Sequence, residues 1–129
     1  MIYGIGTDLC QVERVEKSLT RDSFVRHVFA PEEQALLQSH TGKARAETAA
    51  ANFAAKEAFL KACGTGLAGF ALAEICVLRR QSGAPFYQLS GKAEEWATEN
   101  HITAHLSLTH EAGLACAFAV LERTEGESL

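Results

Sequence analysis

Hydrophobic and polar residues change their spacing several times along the chain, and each change predicts an element of secondary structure. Residues 2–9 (IYGIGTDL) combine β-branched and aromatic residues with two glycines, which predicts a short strand in close backbone contact with a neighbour. Residues 102–109 alternate between apolar and polar side chains, as a strand with one buried face does. After a turn at residues 111–113 the run LACAFAVL is apolar on both faces, so we predict a central, buried strand there.

A helical period replaces the strand pattern early in the chain. Val12, Val15 and Leu19 fall on one apolar stripe that should face the core. Asp8 and Gln11 have the spacing of a capping box. We therefore predict a first helix that begins at this point.

Further helices and strands follow from the remaining segments. Pro31 and the two acids after it predict a short second helix. Residues 46–62 contain eight alanines in seventeen positions without Gly or Pro, which is the strongest helix signal in the chain. Residues 72–79 and 85–89 predict two strands around a turn, and residues 92–100 predict another short helix.

The order of these elements predicts an α+β domain with a hairpin near its end. A length of 129 residues is that of one domain, so we predict that residues 1–129 form a single domain whose last few residues are a tail. A hydrophobic fraction of 47% and a charged fraction of 22% exclude a disordered or low-complexity protein.

The charge of the chain limits which partners it is expected to bind, and its cysteines indicate the cell compartment. The net charge of −4 makes nucleic acid or an anionic membrane a poor candidate partner. Eight of the 12 basic residues lie in residues 1–65, so a basic patch is expected only there. The four cysteines lack a CxxC pair and mostly lie in apolar runs, which is typical of reduced thiols. Without a leader pattern or a run long enough to cross a membrane, we expect a cytoplasmic protein.

The only basic row consists of Arg14, Lys17 and Arg21, with Arg26 nearby. A solvated helix face is the ordinary explanation of such a row. A surface that binds an acidic partner is the alternative, because complementary charge accelerates and orients association.

Acidic residues at two distant positions suggest chemistry. Phe53, Glu57 and Lys61 recur at four-residue intervals, so a carboxylate and an ammonium group project from one face of the alanine-rich helix. The ordinary explanations are a solvated Glu-Lys pair and, for Asp8, a helix cap. If the fold brings Asp8 and Glu57 together, they could bind Mg²⁺ along with waters and substrate phosphate oxygens.

Four segments stand in order along the chain: IGTDLCQVERV, FAAKEAFLKACGTG, GAPF and HLSLTH. In order and spacing they closely resemble the bacterial holo-acyl-carrier-protein synthases, the trimeric branch of the 4′-phosphopantetheinyl transferases. The family signature, G-x-D and then [FW]-x-x-K-E-A-x-x-K, is matched from Gly6 to Asp8 and from Phe53 to Lys61. The resemblance extends from Met1 to about residue 122.

The resemblance implies a fold and a reaction. The fold would be that of the 4′-phosphopantetheinyl transferases, in which an antiparallel sheet packs against the long helix. The reaction would move the 4′-phosphopantetheine arm of coenzyme A to a serine of apo acyl carrier protein and release adenosine 3′,5′-bisphosphate. Asp8 and Glu57 would bind Mg²⁺, and Lys61 would contact a phosphate or assist the leaving group. The serine proton would pass to Glu57 or to a metal-bound water or hydroxide.

The resemblance also implies contacts to the coenzyme and to protein partners. His110 would contact the coenzyme A phosphates and would be a catalytic residue together with Asp8, Glu57 and Lys61. The other coenzyme contacts would be Gly64, Gly66, Pro85, Ser107 and Thr109. The basic row would bind the acidic helix of the carrier protein. The chain would form a homotrimer with its active sites between protomers.

Three positions depart from the family pattern. Asn52 stands where many members have Arg, so one expected phosphate contact is lost or supplied elsewhere. Gln11 replaces a common Glu, and Glu111 stands where a small hydroxyl residue is frequent. Neither of the predicted metal ligands is affected.

Two other functions are compatible with the same residues. A non-catalytic oligomeric module could hold an acidic partner through the basic row, with Asp8 as a cap and Glu57 and Lys61 as a surface pair. A metal-dependent nucleotide hydrolase would use the same acids with water as the acceptor.

Overall fold

A long helix packs against an antiparallel sheet in the computed structural model of the chain, which describes residues 1–64 and 69–124. The strands are β1 (Ile2–Gln11), β2 (Ile75–Arg79), β3 (Pro85–Leu89), β4 (Ile102–Glu111) and β5 (Leu114–Arg123). The helices are α1 (Val12–Ser18), α2 (Asp22–Val28), α3 (Pro31–Gln38), α4 (Gly42–Cys63) and α5 (Gly91–Glu99). The predicted α+β class and the packing of the sheet on the alanine-rich helix are confirmed.

The sheet that carries the site has the strand order β1-β5-β4, so the apolar β5 is its central strand as predicted. Both neighbours of β5 run antiparallel to it. Asp8 on β1 lies opposite Ala117, and His110 on β4 lies opposite Ala115. Asp8 and His110 are therefore on the two outer strands, with β5 between them. Strands β2 and β3 form a separate antiparallel hairpin.

The two faces of β5 differ in burial. Ala115, Ala117, Ala119 and Leu121 are buried on the face toward α4, whereas Phe118 on the other face is 43% exposed. The prediction that both faces of this strand are buried is therefore wrong for a single chain. Its second face belongs to an open side of the sheet.

Two glycines of β1 allow the sheet to touch the backbone of α4. A Cβ on Gly6 would overlap the carbonyl oxygen of Ala58 and lie 2.8 Å from the amide nitrogen of Ala62. A Cβ on Gly4 would overlap the carbonyl oxygen of Ala62. The close backbone contact expected from these glycines is present, and it brings the end of β1 to the second half of α4.

The end of α4 is a left-handed cap, as the glycine after the alanine-rich segment predicts. Gly64 has a φ of 79° and its amide donates to the carbonyl oxygen of Lys61. The helix begins at Gly42, several residues earlier than the alanine pattern indicates.

A buried ion pair attaches α4 to the rest of the core. The ammonium group of Lys56, which has no exposed surface, donates to Glu33 at 2.6 Å and to the carbonyl oxygens of Leu72 at 3.0 Å and Ile75 at 2.8 Å. Asn52, one turn earlier on α4, donates to the other carboxylate oxygen of Glu33 at 3.0 Å. Because a buried charge is tolerated only when it is paired and hydrogen-bonded, this network fixes how α4 is seated on α3 and β2.

The predicted first helix is divided in the structure. Strand β1 continues to Gln11, which occupies the N-cap position of α1 without a side-chain capping bond, so Asp8 is a strand residue and not a cap. Helix α1 ends at Ser18 and the unpredicted α2 begins at Asp22. Leu19 between them is 8% exposed, so the predicted apolar stripe is buried even where the helix has ended.

Smaller differences concern the ends of other elements. The hairpin begins at Ile75 because residues 72–74 form a 3₁₀ turn, and β4 and β5 continue past their predicted ends. Gly66 and the predicted C-terminal tail, which falls on residues 125–129, lie outside the described residues. In the described residues, no helix combines the length and the apolar character that crossing a membrane requires.

Substitution of Gly6 tests the contact between β1 and α4. We expect Gly6→Ala to lower the free energy of unfolding by about 3 kcal/mol or more, because the new methyl group meets rigid backbone. Urea denaturation measures this change. Gly113→Ala is the control: it lies in open space at a φ of 78° and should cost only about 1 kcal/mol. Equal losses in the two variants would contradict the close approach.

Candidate active site

An open cleft of about 570 Å³ lies where the end of β1 meets α1, α2 and the middle of α4. Its acidic lining residues are Asp8 from β1 and Glu57 from α4. These are the two carboxylates that the sequence singled out, 49 positions apart in the chain, and the fold brings them to one cleft.

Asp8 is held by a lysine from the neighbouring helix. The ammonium group of Lys61 donates to Asp8 Oδ1 at 3.1 Å and to the carbonyl oxygen of Thr7 at 2.9 Å. The side chain of Asp8 is 18% exposed and that of Lys61 is 56% exposed. Lys61 therefore pairs across to β1, and the surface pair with Glu57 that was the alternative explanation is not among the ion pairs of the described residues.

Glu57 lies in an unfavourable environment for a negative charge. Burial raises the pKa of its carboxyl group, the neighbouring Asp8 carboxylate raises that pKa further, and the Lys61 ammonium group lowers it in part. The charge of Asp8 therefore acts on Glu57 across the cleft.

The rest of the cleft wall combines a cation with two aromatic rings. Arg14 projects from α1 into the lining, although the sequence placed it only in the basic row. Phe24 and Phe53 form an apolar wall, with ring centroids 6.2 Å apart. An anionic ligand with an apolar portion would fit this combination of groups.

Cys10 also lines the cleft, on the same side of β1 as Asp8. Burial raises the pKa of its thiol, and the nearby carboxylate of Asp8 raises it further. All four cysteines are free thiols.

A second pocket of about 240 Å³ lies at the other edge of the sheet. Thr109 and His110 from the end of β4 line it together with Arg79 from β2, and Glu47 and Thr48 from α4 complete its polar wall. It shares no lining residue with the acidic cleft. Within one chain the structure thus does not bring His110 into the cleft of Asp8 and Glu57.

The other predicted coenzyme contacts are distributed around this edge. Pro85 begins β3 directly opposite Arg79, which brings it to the side of the second pocket. Ser107 lies opposite Phe118 on the open face of the sheet, outside both pockets. Gly64 caps α4 three positions beyond Lys61, on the exposed surface.

The predicted basic row is exposed but does not follow one helix. Arg14 and Lys17 lie on α1, Arg21 lies at the N-cap of α2, and Arg26 lies in the last turn of α2. Lys17 pairs with Glu13 at 3.4 Å between two highly exposed side chains. The row therefore extends from the wall of the cleft across both short helices.

The sequence analysis missed the arginine of the second pocket and did not predict the surroundings of Asn52. Arg79 lines the second pocket, but its position at a strand end next to Arg80 gives no local signal. Asn52 is fully buried and donates to Glu33 and to the carbonyl oxygen of Val77, and the loss of a phosphate contact at this position stays a prediction. Asn52 is a core residue here, because its side chain belongs to the Lys56 network.

The donor set of Asp8 and Glu57 fits a magnesium ion. Mg²⁺ is usually held by one or two carboxylates, with water and substrate phosphate oxygens as the remaining ligands. Burial and then repulsion from Asp8 raise the pKa of Glu57, and a cation between the two carboxylates would relieve the repulsion. No group of three or more His, Cys, Asp or Glu residues that could hold a metal occurs in residues 1–64 and 69–124.

Sequence comparisons place the chain in a family of enzymes. Residues 4–119 match the 4′-phosphopantetheinyl transferase superfamily. A holo-[acyl-carrier-protein] synthase of Lachnoclostridium phytofermentans is 41% identical over 123 residues, 95% of this chain and 97% of that protein. The corresponding protein of Trichlorobacter lovleyi is 43% identical over 126 residues, 95% of this chain and 98% of its own. The chain therefore belongs to the 4′-phosphopantetheinyl transferase superfamily.

Solved structures agree with this assignment. The holo-[acyl-carrier-protein] synthase of Neisseria meningitidis has a TM-score of 0.86 at 31% identity and covers 95% of this chain and 100% of that one. The holo-(acyl-carrier-protein) synthase of Bacillus anthracis, solved in complex with CoA (3′,5′-ADP), has a TM-score of 0.82 at 33% identity, with 96% and 99% coverage. The predicted fold and the predicted enzyme class, holo-[acyl-carrier-protein] synthase, are confirmed.

The raised pKa of Glu57 predicts a dependence of stability on pH. The folded chain keeps the Glu57 proton at pH values where the unfolded chain releases it, so stability falls as pH rises from the ordinary carboxyl pKa to the raised one. We expect Glu57→Gln to unfold at higher urea concentration than the wild type near pH 8, and this difference to shrink toward about pH 4. Glu94→Gln, on the exposed surface of α5, is the control. A difference that does not change with pH would contradict the environment described for Glu57.

Proposed function

We propose that the enzyme transfers the 4′-phosphopantetheine arm of coenzyme A to a serine hydroxyl of apo acyl carrier protein, with Mg²⁺ as its cofactor. The second product is adenosine 3′,5′-bisphosphate. The observation that carries this proposal is the convergence of Asp8 and Glu57 at one open cleft, with Lys61 paired to Asp8. Two carboxylates beside an ammonium group suit a reaction that breaks a pyrophosphate linkage.

In phosphoryl transfer the protein mainly positions the reacting groups and neutralises charge. Asp8 and Glu57 would hold Mg²⁺, which when bound neutralises charge on the pyrophosphate oxygens. Lys61 lies one helical turn beyond Glu57 and supplies a positive charge to a phosphate oxygen or to the leaving group. Arg14 adds a second cation at the wall of the cleft. Glu57 or a water of the cleft accepts the proton of the serine hydroxyl.

The second pocket would hold the nucleotide end of coenzyme A. Its basic side chains are Arg79 and His110, and the Thr109 hydroxyl can donate to a phosphate oxygen. Pro85, opposite Arg79, would contact the adenine side. The other expected contacts are the amide of Gly64 beyond Lys61, Gly66, and Ser107 on the open face of the sheet.

We propose that the enzyme is a homotrimer with its active sites between protomers. The open face of the sheet supports this, since Ile5, Leu9 and Phe118 on it are 54%, 63% and 43% exposed. Exposed apolar side chains that share one face of a sheet are typical of a protein–protein interface. The separation of the His110 pocket from the acidic cleft supports it too, because the pocket of one protomer could complete the cleft of the next.

The basic row is proposed as the surface that binds the acidic carrier protein. It starts at Arg14 in the cleft wall, so a carrier bound along α1 and α2 would have its serine close to the acids. The free cysteines are in keeping with the cytoplasmic location that we propose for this reaction.

Incubation with apo carrier protein, coenzyme A and Mg²⁺ tests the function against its alternatives. The proposed transferase must add the mass of one phosphopantetheine to the carrier, as read by intact-protein mass spectrometry. A binding module would leave the carrier unchanged. A nucleotide hydrolase would cleave coenzyme A when no carrier is present. Removal of divalent cations with a chelator should stop the transfer.

Glu57→Ala is the sharpest test of the acidic cleft. We expect kcat/KM for carrier modification to fall by at least about a hundredfold, because an acid that would hold the cation is lost. Folding should persist, since Ala is the better helix former and Glu57 experiences repulsion from Asp8. Circular dichroism checks the fold, and Glu94→Ala on α5 is the matched control. Turnover at the wild-type level would refute the proposed role.

Charge reversal tests the docking surface. We expect Lys17→Glu combined with Arg21→Glu to raise the KM for the carrier by about tenfold at low salt, while kcat at saturating carrier changes little. Initial rates over a range of carrier concentrations give both constants. The defect should shrink as salt is added, and Lys92→Glu on α5 should behave like the wild type. An unchanged KM would show that the carrier binds elsewhere.

A further inference from the structure

Helix α4 presents two lysines that pair with carboxylates in contrasting ways. Lys56 has no exposed surface and is fixed by Glu33 and two carbonyl oxygens. Lys61 is 56% exposed and reaches Asp8 and the carbonyl oxygen of Thr7 from the surface. Ion pairs that are open to water contribute little to stability. Asp8 therefore holds Lys61 less strongly than Glu33 and the two carbonyl oxygens hold Lys56.

The contact made by Lys61 lies on one of the two acids of the cleft. Within the described part of the chain, Lys61 provides the single ion pair that Asp8 makes, at 3.1 Å from Oδ1. The same ammonium group partly offsets the burial and repulsion that act on Glu57. One ammonium group thus acts on both carboxylates, in addition to the guanidinium group of Arg14 in the cleft wall.

We propose that Lys61 is a displaceable counter-ion that competes with the divalent cation for Asp8. This inference rests on the proposed function, because it takes Asp8 as a ligand of that cation. An ammonium group and a divalent cation cannot both approach the same carboxylate oxygen without repulsion. Binding of the cation at Asp8 Oδ1 therefore displaces Lys61 from that oxygen, and the released ammonium group becomes available to a substrate phosphate.

The competition links the two ligands of the enzyme. An anionic substrate attracts the ammonium group away from Asp8 and so favours the cation, and the cation in turn favours the anion. The free enzyme should bind the cation weakly and the enzyme with coenzyme A should bind it more tightly. Lys61 should account for part of this increase in cation affinity, so a substitution that removes its charge should reduce the increase.

Binding of Mn²⁺ to the full chain, without carrier protein and without coenzyme A, tests the competition. Electron paramagnetic resonance measures the concentration of free Mn²⁺ as Mn²⁺ is added to the protein. We expect Lys61→Met to bind Mn²⁺ about tenfold more tightly than the wild type, because the competing charge is gone. Lys92→Met, an exposed lysine of α5, should bind as the wild type does. Equal or weaker binding by Lys61→Met would overturn the inference.

A second titration in the presence of coenzyme A measures the coupling. We expect coenzyme A to tighten Mn²⁺ binding by a larger factor in the wild type than in Lys61→Met, and equal factors would contradict the competition. Lys61→Gln repeats the test with a polar side chain, and Asp8→Asn should lose tight Mn²⁺ binding. Wild-type binding by Asp8→Asn would refute the inference, since the cation would then lie elsewhere.

These outcomes are separate from the proposed transfer. If the wild type modifies the carrier and Lys61→Met binds Mn²⁺ no more tightly than the wild type, the counter-ion role is refuted and the proposed function stands. A wild-type protein that binds Mn²⁺ in competition with Lys61, but does not modify the carrier, refutes the function alone.

Discussion

The close approach of β1 to α4 is the contact on which the site depends. Gly4 and Gly6 carry no side chains, so the strand lies against the carbonyl oxygens of Ala62 and Ala58. Asp8 follows on the same side of the strand, and it reaches Lys61 on the helix. A larger residue at either glycine would push the strand away and separate the acids. The alanines of α4 matter for the same reason, since their small side chains allow the backbone of β1 to approach the helix closely.

The buried pair of Lys56 and Glu33 completes this arrangement from the other side of α4. Glu57 is the next residue after Lys56, so the direction in which Glu57 projects depends on how the helix is rotated. The bonds of Lys56 and Asn52 to Glu33 hold that rotation against α3. The core network on one side of α4 therefore helps to set the position of Glu57 in the cleft on the other side.

Local patterns predicted the elements but not all of their limits. The apolar stripe of Val12, Val15 and Leu19 is buried as predicted, because the helical period places these side chains on one face and that face packs on the core. The expected cap at Asp8 failed because β1 continues to Gln11, where it pairs with Leu114. A capping rule considers only neighbours in sequence, and that partner lies about a hundred residues away in the chain.

The same distinction holds for the site. Asp8, Glu57 and Lys61 could be found because the family motifs contain them. Arg79 could not be found, since it reaches the pocket of His110 only through the hairpin of β2 and β3. Asn52 was interpreted from the residue that other members have at its position, but its surroundings in the core decide what it contacts.

The thiol of Cys10 gives the cleft a chemical property of its own. Coenzyme A ends in a thiol, and its oxidised forms are disulfides that exchange with cysteine thiolates. Because the pKa of Cys10 is raised, this side chain is protonated at neutral pH and attacks disulfides slowly. A cysteine thus lies in the wall of the cleft, and its environment slows its exchange with the disulfides of a thiol substrate.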